Sequence, residues 1–222
     1  MIALTIGGAL ACALLVAAEW RRMAALRIAA KLVASAMFVA LGARALAASH
    51  DVRYTRFAEA IFAGLVLGAI GDACLLAADK RWFLAGLSAF LLGHLAYVAG
   101  IAMIEPAGLW PGDAGWLAVA PAGAGLAALA VLWPRLGSLR LPVIAYVATI
   151  SVMVVAAIAA ARGAALPEPN RHRLVIGASL FFVSDLAVAR ERFVSRNFTN
   201  KLWGLPAYYA GQLLIAWSIA GL

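Results

Sequence analysis

Eight long apolar segments run through this sequence, and together they constrain its fold more than any other feature. They cover residues 2–18, 28–47, 57–78, 82–104, 114–133, 139–161, 173–189 and 202–221. Because a helix of about 20 apolar residues crosses the hydrocarbon core of a bilayer, each segment predicts one transmembrane helix. The connections between them are too short to form a soluble domain. We therefore expect an all-α, polytopic transmembrane bundle of about eight helices, forming one domain over residues 1–222.

The basic residues are distributed unevenly over the connections between these segments. Eleven of the 18 Lys and Arg residues lie in the turns after segments 1, 3, 5 and 7, and six lie in the other turns. Since the cytoplasmic turns of membrane proteins are the basic ones, we expect both chain ends outside and the odd-numbered turns inside, in a bacterial cell membrane. This asymmetry accounts for the net charge of +8, so the charge indicates no nucleic-acid partner.

A few polar side chains interrupt the apolar segments. An ionisable group in hydrocarbon costs at least about 2.5 kcal/mol, so each such residue is a candidate for function. The candidates are Lys31 in segment 2, Asp72 in segment 3, His94 and Tyr97 in segment 4, Ser184 and Asp185 in segment 7, and Tyr208 and Gln212 in segment 8. The alternative is a structural role, in which these side chains only fix the packing of the helices.

The spacing of these side chains predicts that they meet in one place. His94 and Tyr97 are three residues apart and project from one helix face, as do Tyr208 and Gln212, which are four apart. At about 1.5 Å of rise per residue, the two aspartates and Tyr208 each lie roughly 8–10 Å from the cytoplasmic ends of their segments. We expect a single polar cavity that opens toward the cytoplasm.

Two carboxyl groups in one apolar cavity do not both ionise easily, so one of them should stay protonated near neutral pH. An acid and a carboxylate together suit a reaction with an oxocarbenium-like state, in which the acid delivers a proton and the anion stabilises positive charge or activates water. Asp72 and Asp185 are therefore the candidate catalytic residues. A zinc hydrolase needs about three protein ligands, and His94 is the only histidine at depth, so we expect no metal and no cofactor.

At these same residues the sequence resembles the YhhN-like family of integral membrane proteins, which includes lysoplasmalogenases. The matching elements are Lys31, Gly71-Asp72 with Leu75, Gly93-His94 with Tyr97, Ser184-Asp185, and Tyr208 with Gln212. The resemblance spans most of the chain and lies in the order and spacing of these elements. It implies hydrolysis of the vinyl ether bond of a lysoplasmalogen, a lysophospholipid-like substrate in the membrane, to a fatty aldehyde and a glycerophospho-alcohol.

The resemblance also implies roles for the polar residues. Vinyl ether hydrolysis begins with proton transfer to carbon, which requires an acid beside the double bond. Asp72 and Asp185 would supply this acid and a stabilising or water-activating carboxylate, in either order. A substrate-binding set would orient water, contact the glycerol oxygens and hold the phosphate; its members are Lys31, His94, Tyr97, Ser184, Tyr208 and Gln212.

A second class of function fits the same two carboxyl groups: a proton-coupled transporter or exporter in which they carry protons. Transporters of this kind often have discontinuous helices at the binding site. Here Pro142 and Pro206 fall near predicted helix starts, and Pro121 lies within segment 5, far from the carboxyl groups in sequence. Turnover of lipid by the purified protein, without a gradient, would separate the two classes.

Overall fold

The computed structural model, which describes residues 1–77 and 79–222, confirms the all-α bundle. Every long element in the described part is a helix. The eight long helices are α1 Ile2–Trp20, α2 Ala24–Ala47, α3 Thr55–Cys74, α4 Lys80–Ile104, α5 Val119–Leu132, α6 Arg140–Arg162, α7 Glu168–Phe193 and α8 Phe198–Trp217. Their order and approximate positions follow the eight apolar segments.

The fifth segment differs most from its prediction. A short helix, Trp110–Ala114, and a 3-10 turn, Gly115–Ala118, come first, and α5 begins only at Val119. The break falls where Gly115 adopts a φ of +55°, a conformation that a helix does not continue through. Pro121 lies within α5, as predicted, but in its first turn, where its missing N–H leaves no helical hydrogen bond unmade.

Two other helix boundaries bear on the candidate residues. Helix α3 ends at Cys74, four residues before the predicted boundary, so Asp72 lies close to the helix end. Asp79 caps the N-terminus of α4: its carboxylate accepts a hydrogen bond from the Trp82 N–H at 2.9 Å. Helix α8 begins at Phe198, which places Pro206 inside the helix and corrects the expectation that it lies near a helix start.

Helix α8 crosses the bundle although its hydropathy alone does not predict a membrane span. In the described residues, seven helical stretches are long and apolar enough to span a membrane, and α8 is not one of them. It nevertheless runs antiparallel to α1 over the whole length of α1: Lys201 pairs with Glu19 at one end (2.7 Å), and Trp217 donates to the Thr5 hydroxyl at the other (2.9 Å). Among the described residues α8 is therefore an eighth helix that crosses the bundle, and both chain ends lie at the same face.

Glycines allow α3 to pack directly against the residues of the candidate site. A side-chain carbon at Gly64 would overlap the ring of Tyr97 on α4, and one at Gly68 would overlap the amide of Gln212 on α8. These positions are four residues apart and so lie on one face of α3. Small residues at such contacts bring helices close together, and here they bring two polar side chains against α3.

Candidate active site

A cavity of about 540 Å³ enters the bundle from the face that carries the basic turns. Its mouth lies between the end of α1, the start of α2 and the turn joining α7 to α8, and it is lined by Glu19, Arg27, Arg192, Arg196 and Lys201. Apolar side chains form most of its wall, among them Leu75, Phe83, Leu87, Phe90, Ile150 and Phe182. Its polar groups inside the bundle are Asp72, Tyr146, Ser184, Asp185 and Tyr208. A single cavity that opens at the basic face and reaches both aspartates is thus present, although its wall is mainly apolar and not polar as predicted.

Asp72 belongs to a closely paired group of side chains, the Asp72 cluster, formed with Lys31, Ser35 and Tyr209. The Lys31 ammonium lies 2.6 Å from one carboxylate oxygen of Asp72, and the Ser35 hydroxyl donates to the other at 2.6 Å. The Tyr209 hydroxyl lies 3.4 Å from that second oxygen. Only 2% of the Asp72 side chain is exposed. The carboxylate therefore has a cation and hydroxyl donors that compensate its charge.

Asp185 lies in a different environment, the Asp185 cluster, formed with His94 and Tyr146. The Tyr146 hydroxyl donates to Asp185 at 2.8 Å. In the part of the chain that the structure describes, no Lys or Arg nitrogen lies within 4.0 Å of this carboxyl group. The Asp185 side chain is 16% exposed and lines the cavity. It is therefore both more accessible and less compensated than Asp72.

The His94 ring is packed beneath Asp185 without forming a hydrogen bond to it. Its Nε2 lies 3.8 Å from the nearest Asp185 oxygen, which is too far for a hydrogen bond. Neither ring nitrogen has a partner among the described residues. The ring is fully buried, with its centroid 4.6 Å from that of Phe181 and 5.1 Å from that of Tyr146. These contacts indicate a neutral ring packed among aromatic side chains.

A hydrogen-bond chain behind the cavity wall orients Tyr208. Tyr97 donates to the Gln212 carbonyl oxygen at 2.8 Å, and the Gln212 amide donates to the Tyr208 hydroxyl at 3.3 Å. The Tyr208 hydroxyl in turn lies 3.4 Å from the backbone carbonyl of Gly68 and donates to it. Of the three side chains, only Tyr208 lines the cavity. Gln212 and Tyr97 are therefore connected to the cavity through Tyr208.

The predicted site residues thus separate into two groups. Asp72, Asp185, Ser184 and Tyr208 line the cavity, although the Ser184 hydroxyl donates to a carbonyl of its own helix, that of Phe181, at 2.7 Å. The others lie behind its wall. Lys31, His94 and Gln212 are each next to a residue that lines it, and Tyr97 is next to Gln212. The two aspartates share the cavity, yet each has its own cluster. The catalytic and binding roles of all eight residues stay predictions.

Three side chains in these clusters were missed by the sequence argument. Ser35 lies four residues after Lys31, and this helical spacing was the available signal. Tyr146 is a tyrosine in an apolar segment, as Tyr97 is, and the same reasoning would have selected it. Tyr209 is adjacent to Tyr208, but the choice between two neighbouring tyrosines depends on how α8 is rotated, which the sequence alone does not give.

Basic groups at the mouth are aligned with polar groups deeper in the cavity. Arg192 follows Asp185 by seven residues on α7, and Lys201 precedes Tyr208 by seven on α8, so each pair spans about 10 Å along one helix face. All four residues line the cavity. The Arg192 guanidinium lies 4.2 Å from the centre of the Phe83 ring, which fixes its position at the mouth.

These features define an integral, multi-pass membrane protein with an internal cavity that has an apolar wall, a basic mouth and two carboxyl groups inside. The chain belongs to the YhhN family, whose model matches residues 26–219.

Three relatives illustrate how similar the chain is to other members. Lysoplasmalogenase TMEM86A of Bos taurus is 37% identical over 164 residues, which are 72% of this chain and 65% of the bovine protein. The lysoplasmalogenase of Mycobacterium tuberculosis (strain CDC 1551 / Oshkosh) is 32% identical over 188 residues, 82% of this chain and 66% of that protein. The uncharacterized membrane protein YhhN of Escherichia coli O157:H7 is 28% identical over 160 residues, 72% of this chain and 73% of that protein. No solved structure matches this chain significantly.

The chain therefore spans about 65% of the length of the curated lysoplasmalogenases that it matches.

Proposed function

We propose that this protein hydrolyses the vinyl ether bond of a lysoplasmalogen, releasing a fatty aldehyde and a glycerophospho-alcohol. The observation that carries the proposal is the position of Asp185: a carboxyl group with no cation beside it, among the described residues, in an apolar-walled cavity under a basic mouth. Family membership and relatives named lysoplasmalogenase support the same substrate class.

The dimensions of the cavity suit such a lipid. Seven bonds separate the phosphorus of a lysoplasmalogen from the carbon that must be protonated, and at bond lengths near 1.5 Å they extend to roughly 9 Å. The helix rise between Arg192 at the mouth and Asp185 inside is similar, about 10 Å. With its phosphate at the mouth, the lipid therefore presents its vinyl ether beside Asp185 and its hydrocarbon chain to the apolar wall.

The first step is transfer of a proton from the Asp185 carboxylic acid to the vinyl ether carbon beta to the oxygen. Asp185 is assigned as the acid because ionising a carboxyl in an apolar site, without a nearby cation, is costly, and the neutral form avoids that cost. The π electrons of the double bond form the new C–H bond, and the adjacent carbon becomes an oxocarbenium ion. Asp185 is left as a carboxylate, which the Tyr146 hydroxyl stabilises.

Water completes the reaction. Its oxygen bonds to the oxocarbenium carbon while the Asp185 carboxylate accepts a water proton, giving a hemiacetal and restoring the acid. The hemiacetal then loses its hydroxyl proton as the carbon–oxygen bond to glycerol breaks and the glycerol oxygen is protonated. One water molecule is consumed in total. Tyr208, whose hydroxyl lines the cavity and is held by Gln212, is the residue proposed to orient the water.

Asp72 has a different proposed role, because its charge is already compensated. The Lys31 ammonium and the Ser35 hydroxyl each contact one of its carboxylate oxygens, so Asp72 is proposed as a fixed charge and not as the proton donor. A fixed negative group on the cavity wall favours the positive oxocarbenium ion over the neutral substrate, which is electrostatic stabilisation of the charge that develops. Lys31 is thereby proposed to hold Asp72 and not to bind the phosphate.

The proposed location is a bacterial cell membrane, with the mouth on the cytoplasmic side. The basic turns after α1, α3, α5 and α7 support this orientation. Reporter fusions after Leu136, between α5 and α6, and at Leu222 should read cytoplasmic and external, respectively. A cytoplasmic reading at Leu222 would reverse the orientation.

The activity itself is tested with purified protein in detergent, where no gradient exists. Incubation with 1-alkenyl-glycerophosphoethanolamine should release fatty aldehyde, detected by mass spectrometry, while the 1-acyl analogue should release no fatty acid. Chelator should leave the rate unchanged, since no step uses a metal. Absence of aldehyde from any 1-alkenyl lysolipid, by protein that is folded and monodisperse, would overturn the proposal and leave a transport role for the same carboxyl groups.

A further inference from the structure

A second cleft, of about 350 Å³, lies beside the mouth of the cavity, between the α1–α2 turn and the α7–α8 turn. It contains four basic side chains, Arg22, Arg27, Arg196 and Lys201. It contains two acidic ones, Glu19 and Glu191. Five of these six also line the main cavity, the exception being Arg22, so the cleft is continuous with the mouth. We call it the mouth cleft.

Both carboxylates of the mouth cleft already have partners. Glu19 pairs with Lys201 at 2.7 Å. Glu191 accepts hydrogen bonds from the Asn197 backbone N–H and the Asn200 side-chain amide, each at 2.9 Å. Both carboxylates of the cleft are therefore bound by neighbouring residues of the cleft wall, and Lys201 is one of these partners.

The three arginines of the mouth cleft have no carboxylate within 4.0 Å in the described part of the chain. The Nε–H of Arg27 is in addition buried and has no hydrogen-bond acceptor among the described residues. A buried donor without an acceptor is unfavourable, and more so when the group is charged. An anion in the cleft would supply that acceptor and compensate the unpaired positive charge.

We propose that the mouth cleft is a phosphate-binding subsite, in which Arg27 and Arg196 hold the phosphodiester of the lysolipid headgroup. These two arginines line both the cleft and the cavity, so a phosphate between them is joined directly to a chain in the cavity. The planar guanidinium forms paired hydrogen bonds to phosphate oxygens, which favours phosphate over other anions. The lipid identity of the ligand rests on the proposed function, whereas phosphate binding does not.

The test is a binding measurement that requires no turnover. Its ligands are 1-O-alkyl-glycerophosphoethanolamine, which has no vinyl ether to cleave, and 1-O-alkylglycerol, which has the same chain and no phosphate. The protein is placed in nanodiscs of neutral lipid, and each ligand is used to displace a bound fluorescent alkyl lysolipid. Affinity is expressed as the mole fraction of ligand in the nanodisc lipid at half displacement. Wild-type protein should bind the phosphorylated lipid at least about tenfold more tightly, the factor expected for one charge-assisted contact.

The variants Arg27→Gln and Arg196→Gln should each weaken binding of the phosphorylated lipid about tenfold and change binding of alkylglycerol less than about twofold. The matched control is Arg21→Gln, the same change in the adjacent α1–α2 turn, at an exposed residue that does not line the cleft; it should change neither affinity. Arg27→Lys and Arg196→Lys should recover part of the loss. Thermal unfolding in nanodiscs checks that each variant is folded.

Competition with inorganic phosphate shows whether the cleft binds a lipid headgroup or free phosphate. Displacement of the lysolipid only by phosphate at much higher concentration supports a headgroup subsite, because the chain contributes to binding as well. Equal affinity for free phosphate and the whole lysolipid would overturn the assignment to lipid. Equal affinity of the wild-type protein for the two alkyl ligands would overturn the phosphate subsite itself. The same holds if the arginine variants lose affinity for both ligands to the same extent. These outcomes are independent of whether aldehyde is ever released.

Discussion

Two aspartates line the same cavity, and the difference between their surroundings indicates how the site divides its work. In the Asp72 cluster the carboxylate has an ammonium at 2.6 Å and is 2% exposed. In the Asp185 cluster the carboxyl has only the Tyr146 hydroxyl within hydrogen-bonding distance among the described residues, and it is 16% exposed. A compensated carboxylate keeps its charge, while an uncompensated one in apolar surroundings favours its proton. This difference is the basis for proposing Asp72 as a fixed charge and Asp185 as the proton donor.

The largest effect is expected for Asp185→Asn, because the amide cannot deliver the proton. Aldehyde release should fall by at least about a hundredfold, the usual loss for a general acid, while the melting temperature stays within a few degrees of wild type. The measurement is turnover of 1-alkenyl lysolipid alongside thermal unfolding in the same detergent. Near-normal turnover would remove Asp185 from the mechanism.

Asp72→Asn should affect stability as well as activity. Leaving the Lys31 ammonium without its partner is expected to destabilise the fold by about 3–5 kcal/mol, the cost of breaking a buried ion pair. Removing both charges, in Lys31→Met with Asp72→Asn, should recover most of the melting temperature but not the activity. A stable Asp72→Asn protein that loses as much activity as Asp185→Asn would exchange the two proposed roles.

Much of this arrangement was predictable from the sequence, and the rest depends on contacts between helices. Polar residues in apolar segments are rare enough to be recognised individually, which is why Asp72, Asp185 and Tyr208 were found. Their partners are set by how neighbouring helices rotate and approach, and residue spacing along one helix does not contain that information. The pairing of Lys31 with Asp72 is of this kind.

The helix boundaries, too, could be predicted only in part from the sequence. Hydropathy continues past Cys74, where α3 ends, because the turn is itself apolar: residues 75–77 read Leu-Leu-Ala. Asp72 is therefore only two residues from the helix end. Its depth is given instead by the contact of its carboxylate with Tyr209 on α8.

Tyr146→Phe should reduce turnover by about five- to tenfold, since it removes one hydrogen bond to the Asp185 carboxylate formed in the first step, worth about 1–1.5 kcal/mol. The effect should appear in kcat and not in KM, because the Tyr146 hydroxyl forms a stronger hydrogen bond to the Asp185 carboxylate than to the neutral acid. The matched control is Tyr54→Phe, at a tyrosine that lines neither the cavity nor the mouth cleft, and it should leave kcat unchanged. An unchanged kcat in Tyr146→Phe would mean that Asp185 is not ionised in the limiting step.

The smallest effect is expected for His94→Leu. Both ring nitrogens lack partners in the described residues and the ring is fully buried, so the substitution mainly repacks an aromatic contact. Turnover should stay within about threefold of wild type, in line with volume-conserving changes in a core. A hundredfold loss of turnover with an unchanged melting temperature would instead place the His94 imidazole in the proton path. The different surroundings of the two aspartates would then not suffice to explain their roles.

The most direct test of the account follows a proton from Asp185 to carbon. In deuterated water the exchanged carboxylic acid should place one deuterium on the carbon alpha to the aldehyde in each product molecule, whereas cleavage of an ester would label none. Aldehydes exchange alpha hydrogens slowly, so the product is reduced to the alcohol as it forms, with unlabelled aldehyde as a control. The account predicts one deuterium per product above that control, with slower turnover in deuterated water. Aldehyde released without deuterium would contradict proton transfer to carbon, and with it the role proposed for Asp185.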